Sequence, residues 1–197
     1  MDKSMLELPS KLETTRLTIR KYEKGDGKDL FRLLETNNNR EFLIEHIDEA
    51  IIVKTEKDAE SRIKELSNDW INRSRFVMGI WMKSSGKYIG QIWIEPNKWE
   101  VPSFELGWFL DRTHQGKGIA TEASKAAIRL LFENFDAHKI IVITRDDNIP
   151  SSRLAERLGF NKEGHLREHI VKKDGSRVGL IYYGMLKKEW LQSSLNI

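Results

Sequence analysis

A chain of 197 residues, 39% apolar and with six Trp and eight Phe, is long enough for one domain with a substantial core. Its 33 basic and 30 acidic residues are interleaved, as in Glu56-Lys-Asp-Ala-Glu-Ser-Arg62, and the net charge of +3 does not mark a basic face built for nucleic acid. The absence of cysteine excludes disulfide scaffolds, Cys-ligated zinc and thiol nucleophiles, and apolar runs such as Lys139–Thr144 fall far short of the ~20 residues that span a bilayer.

Met1–Pro9 has no apolar stretch of the kind found in a signal peptide, so the expected setting is cytoplasmic, without membrane association. No repeat or low-complexity linker interrupts the chain, which reads as a single domain over 1–197 with a core from about residue 12 to residue 190. Leu17-Thr-Ile-Arg20 alternates as a first strand, and a turn at Gly25-Asp-Gly27 leads to a short helix over Lys28–Thr36. That helix turns Leu30, Phe31, Leu33 and Leu34 inward and breaks at Asn37-Asn-Asn39. Thr55 and Asp58 form an approximate capping box for the next helix, on which Ala59, Ile63, Leu66 and Trp70 share one face.

Strands follow. Phe76–Met82 and Tyr88–Ile94 form a hairpin around Lys83-Ser-Ser-Gly-Lys87, and Phe104–Leu110 is a further strand. Period two puts Phe104, Leu106, Trp108 and Leu110 on one of its faces and Glu105, Gly107 and Phe109 on the other. A loop over Asp111–Lys117 enters a long helix with Ala120, Ala123, Ala127, Leu130 and Leu131 as its buried stripe. Lys139–Thr144 has the continuous apolar character of a strand covered on both faces. A helix over Ser151–Leu158 ends at Gly159, and late strands at Glu168–Val171 and Val178–Met185 flank an Asp174-Gly175 turn. This order predicts a mixed α/β architecture with helices on both faces of one sheet.

The chemistry concentrates in Arg112-Thr-His-Gln-Gly-Lys-Gly-Ile-Ala120. Glycines at 116 and 118 let successive main-chain N–H groups converge in front of a helix N-terminus, a site for phosphate oxygens; an ordinary tight turn has the same pattern. A dinucleotide fingerprint fails because Thr121 stands at its third glycine. A P-loop fails because no Gly-Lys pair is followed by Ser or Thr.

Gln115-Gly-Lys-Gly-Ile-Ala120 matches the Q/R-x-x-G-x-G/A motif of the GNAT superfamily, with Gln115, Gly118 and Ala120 in its key places. Glu105–Leu110 with Gly116–Ala123, Asn148-Ile-Pro-Ser151 with Leu158-Gly-Phe160, and the opening Leu12–Arg20 resemble the RimJ/RimL branch of that superfamily, in the same order along nearly the whole chain. The resemblance implies a GNAT fold: a mixed, mostly antiparallel central sheet, splayed between the strand carrying Glu105 and the strand from Lys139. It implies an acetyl-CoA-dependent N-acetyltransferase that transfers acetyl directly to a primary amine. The diphosphate would lie on the amides of Gln115, Gly116, Lys117, Gly118, Ile119 and Ala120, with the Lys117 side chain free to add positive charge. Pantetheine would follow the main chain at Phe109 and Leu110, with Asn148 bonded to it.

Within that resemblance Glu105 is the candidate base, acting through water, against the alternative of a surface or ion-paired strand glutamate. Ser151 is the candidate acid toward the CoA sulfur, with Ser152 as fallback; the competing role is an N-cap of the following helix. The competing role for Asn148 is a turn residue before Pro150. His165-Leu-Arg-Glu-His169 fits the zinc pattern H-x-x-E-H, but its surroundings favour a strand, in which the two imidazoles are ~13 Å apart, so no metal is expected. The resemblance places an acceptor lip at Glu41–Glu49, with Glu45, His46, Asp48 and Glu49; a solvated loop is the alternative. Trp81, Trp93, Trp99 and Trp108 either line an acceptor groove or belong to the core. Gly179 stands where that branch frequently has Asp. The acceptor is a ribosomal-protein N-terminus or a small amine, the protein a monomer or homodimer. A non-catalytic acyl-CoA sensor with the same fold is the alternative.

Overall fold

The computed structural model describes residues 8–194. Its sheet takes eight strands in the order β1-β2-β3-β4-β5-β6-β8-β7: β1 (Lys11–Glu13), β2 (Leu17–Lys21), β3 (Phe76–Met82), β4 (Tyr88–Lys98), β5 (Ser103–Leu110), β6 (Lys139–Arg145), β7 (Asn161–Val171) and β8 (Arg177–Leu186). Two compact units divide the chain, one of residues 8–95 and 108–126, the other of 96–107 and 127–194.

In the first unit β1, β2, β3 and β4 pair antiparallel in succession, with Leu12 opposite Ile19, Ile19 opposite Ile80, and Met78 opposite Ile92. The helices α1 (Gly27–Glu35), α2 (Asn39–Leu43), α3 (Glu49–Ile52) and α4 (Glu56–Asn72) lie between β2 and β3 in the chain. The expected capping box starts α4: Thr55 Oγ1 accepts the Asp58 N–H at 3.1 Å and the Asp58 carboxylate accepts the Thr55 N–H at 2.9 Å. Ala59, Ile63 and Leu66 are buried as the helical period requires, and Trp70 packs edge-on against Phe76 at 5.4 Å. Leu30, Leu33 and Leu34 of α1 join them in one core with Val77, Trp81, Tyr88 and Phe109. The short helices α2 and α3 were not anticipated: five and four residues are too few to show a helical period.

In the second unit the start of β5 runs parallel to β6, Ser103 to Lys139 and Glu105 to Ile141, and β6 pairs antiparallel with β8 along its whole length. Helix α6 (Ile149–Leu158) follows β6, and α7 (Lys187–Ser194) follows β8. Phe104, Phe132, Phe135, Ile140, Tyr183 and Met185 are buried, with Phe104 against Phe135 and Phe132 stacked on Trp190. Three expectations are corrected. β6 buries only alternate residues, Ile140, Val142 and Thr144, and leaves Ile141 and Ile143 half-buried, so its two faces are not equally covered. β7 begins at Asn161 rather than Glu168; its polar early residues are exposed on both faces, and pairing with β8 rather than burial makes them a strand. Helix α5 (Ile119–Arg129), continued by a π turn over Leu130–Asn134, buries Ala123, Ala127, Leu130 and Leu131 of the expected stripe, but the stripe starts at the buried Ile119, and Ala120 is only half-buried.

Candidate functional site

The loop between β5 and α5 lies in the first unit. Arg112–His114 form one 3₁₀ turn, and Gln115 continues extended with its N–H on the Arg112 carbonyl. Gly116 and Gly118 follow at φ of +71° and +73°, the left-handed region that a side chain makes costly. The first helical bond closes from Glu122 N–H to Gly118 C=O at 3.0 Å, which makes Gly118 the N-cap of α5. Ser, Thr, Asp or Asn at this position would fold a side-chain oxygen over the first amides of the helix; glycine brings none. The N–H groups ahead of Glu122 have no acceptor inside the helix and carry its positive end. Gln115, Gly116, Lys117 and Gly118 are all exposed, Ile119 is buried beneath them and Ala120 is half-buried. The segment thus presents outward-facing amides on a seated backbone, a cradle suited to an anion.

Contacts from distant parts of the chain hold that cradle. At its start, the fully buried Asp111 accepts the Thr113 N–H at 2.8 Å, the Thr113 hydroxyl at 2.6 Å and Asn37 Nδ2 at 3.1 Å, while its own N–H bonds the Ile89 carbonyl. Burial pushes the Asp111 carboxyl up, but the Thr113 and Asn37 hydrogen bonds outweigh it and hold the pKa down at about 2. The buried Asn39 accepts the Arg112 N–H at 2.8 Å. At the helix end, Glu122 accepts the Thr14 hydroxyl at 2.6 Å, the Arg16 N–H at 2.9 Å and Arg16 Nε at 2.6 Å, and Arg16 Nη1 donates to the Lys117 carbonyl at 2.9 Å. Burial raises the Glu122 carboxyl, and the Thr14 and Arg16 bonds more than offset it, so it titrates below the usual range. None of Asn37, Asn39, Asp111, Thr14 or Glu122 was singled out from sequence: each acts through a partner far away in the chain.

One property expected of the loop is corrected. The Lys117 ammonium is not free, since it donates to the Thr113 carbonyl at 2.7 Å across its own loop. Phe109 and Leu110 close β5 just before the loop, both buried, and Gln115 Nε2 turns back to the Leu110 carbonyl at 3.5 Å. Gln115 to Ala120 and the end of β5 are therefore brought together in this unit.

Glu105, Asn148 and Ser151 lie in the second unit. Glu105 is half-buried on β5, in parallel register with Ile141 of β6. Asn148 is the N-cap of α6: its Oδ1 accepts the Ser151 N–H at 3.3 Å, and Pro150 occupies the first turn. The capping role weighed for Ser151 thus belongs to Asn148, and Ser151 is a half-buried residue of that first turn. Ser152 is buried with no hydrogen-bond partner for its Oγ.

His165 and His169 sit on the strand β7, not on a helix, and the His165 ring contacts Asp146 at 2.9 Å. Gly179 explains itself beside them: a Cβ there would lie 2.5 Å from both Asp146 Oδ2 and His165 Nε2. Among the described residues no group of three His, Asp or Glu is placed to hold a metal ion, and no helix is long and apolar enough to cross a membrane. The acidic lip is smaller than expected. Glu49 is buried and paired with Arg62 at 3.1 Å, while Glu45, His46 and Asp48 are exposed. Trp81 belongs to the core of the first unit, with Arg20 stacked 3.9 Å over its ring, and Trp99 packs on Phe104.

A model of the acetyltransferase (GNAT) domain matches residues 16–161, and the chain belongs to this family. It is 30% identical over 179 residues to an uncharacterized N-acetyltransferase, p20, of Bacillus licheniformis, covering 91% of this chain and 97% of that one. It is 28% identical over 145 residues to the ribosomal-protein-serine acetyltransferase of Escherichia coli, covering 72% and 76%. The solved structure of the microcin C7 self-immunity acetyltransferase MccE, in complex with acetyl-CoA and AMP, superposes with a TM-score of 0.81 at 22% identity, over 91% of this chain and 97% of that one. The protein is an N-acetyltransferase of the GNAT fold, with acetyl-CoA as its cosubstrate.

Proposed function

We propose that this acetyltransferase modifies the N-terminal α-amine of a protein; what supports a protein acceptor is its likeness to a relative named as a ribosomal-protein-serine acetyltransferase. We further propose that the family match, which runs through both units, marks one catalytic domain. The observation that carries the reading of the site is the pair of left-handed glycines ahead of α5, with Gly118 as a bare N-cap. The amides from Gly116 to Ala120 hold the diphosphate of acetyl-CoA, Gln115 shapes the turn through Leu110, and the strand ends at Phe109 and Leu110 offer main chain to the pantetheine arm. Bound acetyl-CoA supplies an activated acetyl thioester. Glu105 takes a proton from the acceptor ammonium through a water, so that the amine is neutral when it attacks. Asn148 fixes the first turn of α6 and orients Ser151, whose hydroxyl donates a hydrogen bond to the departing sulfur as the proton lost by the attacking nitrogen passes to the thiolate. The exposed Glu45 and Asp48 favour an acceptor that carries positive charge before reaction.

Calorimetry with acetyl-CoA tests the loop, and release of free thiol tests turnover against ribosomal N-terminal peptides, polyamines, amino acids and aminoglycosides. Peptides are expected to turn over fastest. Glu105→Gln and Ser151→Ala are expected to lower kcat by about tenfold or more while acetyl-CoA binding persists. Turnover confined to small amines would overturn the acceptor assignment, and unchanged kcat in both variants would overturn the assigned roles.

A further inference from the structure

The anion cradle has an acid placed close to its amides. Glu122 places a carboxylate in the first turn of α5, one turn from the amides of Gly116 to Ala120. Lys117 Nζ is turned to the Thr113 carbonyl, Lys83 Nζ is on Glu13 at 2.7 Å, and Arg112 is exposed on the 3₁₀ turn. Arg16, in the turn between β1 and β2, is a cation that reaches the loop from a distant part of the chain. Its Nε is on Glu122, its Nη1 is on the Lys117 carbonyl, and a Cβ built at Gly118 would stand 3.6 Å from its Nη2.

We propose that Arg16 is a diphosphate-positioning residue: it cancels the charge of Glu122, turns the Lys117 carbonyl away from the ligand, and presents Nη2 beside Gly118 as a charged donor to a phosphate oxygen. The proposal rests on the reading of residues 115–120 as the diphosphate loop. Three features make the geometry suitable. The guanidinium fork has donors to spare after Nε and Nη1 are used. Its two fixed bonds mean that little side-chain freedom is lost when a ligand arrives. The side chain is still 41% exposed, so an anion can reach it. A side chain larger than glycine at 118 would begin to fill the space between Nη2 and the loop.

The test is calorimetry on the whole chain with three probes: CoA, dephospho-CoA, which keeps the diphosphate but lacks the 3′-phosphate, and pantetheine, which lacks both. Arg16→Gln is expected to weaken CoA and dephospho-CoA alike, by about tenfold or more, and to leave pantetheine unchanged. Arg16→Lys, which keeps the charge without the fork, is expected to recover part of the loss; should Arg16→Gln fail to fold, the same three-probe comparison on Arg16→Lys carries the test. CoA affinity equal to wild type in Arg16→Gln would overturn the proposal and leave the loop reading intact. Loss for CoA but not dephospho-CoA would move Arg16 to the 3′-phosphate and overturn it, and an equal loss for pantetheine would reduce Arg16 to a structural part. Wild-type protein that binds none of the three would overturn the loop reading itself.

Discussion

Replacing Asp111 by Asn probes the buried support of the loop without changing its size. The wild-type carboxylate accepts from three donor groups, the Thr113 amide and hydroxyl and the Asn37 amide. An Asn side chain has one acceptor oxygen. Kept on Thr113, it turns its own NH₂ toward Asn37 Nδ2, donor against donor; flipped, it deprives Thr113. Either way a donor of the exposed Asn37 or Thr113 loses its buried acceptor, and the bonds that remain are no longer charge-assisted, which together cost roughly 2–3 kcal/mol. At this chain length that lowers the melting temperature by roughly 5–12 °C. The pH dependence has a definite sign. The carboxyl sits at about 2 when folded against an ordinary 3.8, so its stabilisation is fully present above pH 3.8 and disappears as the pH falls through about 2. That share is at most about 2 kcal/mol. Thermal melts of both proteins from pH 7 downward are expected to converge at the acid end. A variant that melts within about 1 °C of wild type at pH 7 would refute the assignment of Asp111 as the anchor of this loop.

Three other changes follow from the same contacts. Gly118→Val forces a β-branched residue to φ +73° and is expected to cost about 1–2 kcal/mol in a melt and, on the proposed reading, about tenfold in CoA affinity by calorimetry. Gly179→Ala drives a methyl to 2.5 Å from Asp146 and His165 and 2.7 Å from the Leu166 carbonyl; a loss of about 1–3 kcal/mol is expected, reduced when His165→Ala is combined with it in a double-mutant cycle. Arg62→Met strands the buried Glu49 and is expected to destabilise by about 3–5 kcal/mol, whereas Glu49→Leu with Arg62→Met together recovers most of it; equal losses in single and double variants would contradict the pairing.

Which features could be read from sequence follows from how far apart their parts lie. The capping box of α4 joins residues three apart, and the glycines at 116 and 118 sit two apart, so local pattern reveals both. The paired strands β3 and β4 carry enough apolar and aromatic residues to be recognised, and β5 keeps its alternation up to Gly107. The supports do not have that form. Thr14 and Glu122 are 108 residues apart, Asn37 and Asp111 are 74 apart, and the buried Tyr22 and Tyr88 hydroxyls, 2.6 Å from each other, are 66 apart. Each looks like an ordinary surface or core residue until topology joins it to its partner. The burial of Glu49 escapes the sequence for the same reason: an acidic segment looks solvated unless Arg62, on the next helix, is known to face it. The one departure in the α5 stripe, Ile119 rather than Ala120 beneath the loop, falls at the first residue of the helix, where no preceding turn fixes which of two adjacent apolar residues points inward.

The loop also shows why its supports are charged. Two left-handed glycines make the turn possible, but glycine gives a loop more freedom to lose on ordering than any other residue. A loop that binds through its amides must nevertheless be ordered before the ligand arrives, or ordering is subtracted from affinity. Apolar packing cannot supply that order, because residues 115–118 are exposed. The remaining handles are main-chain carbonyls and flanking polar groups, and these are what is held: Thr113 by Asp111, the Lys117 carbonyl by Arg16, and the Gly118 carbonyl by the helix itself. Carboxylates make strong anchors, yet they repel the anion the loop is shaped to take. The chain resolves this by burying Asp111 among donors and tying Glu122 to an arginine that leaves one nitrogen facing the loop. Order and charge balance thus come from the same bonds, so removing either carboxylate is expected to loosen the loop and not simply to make the site more positive.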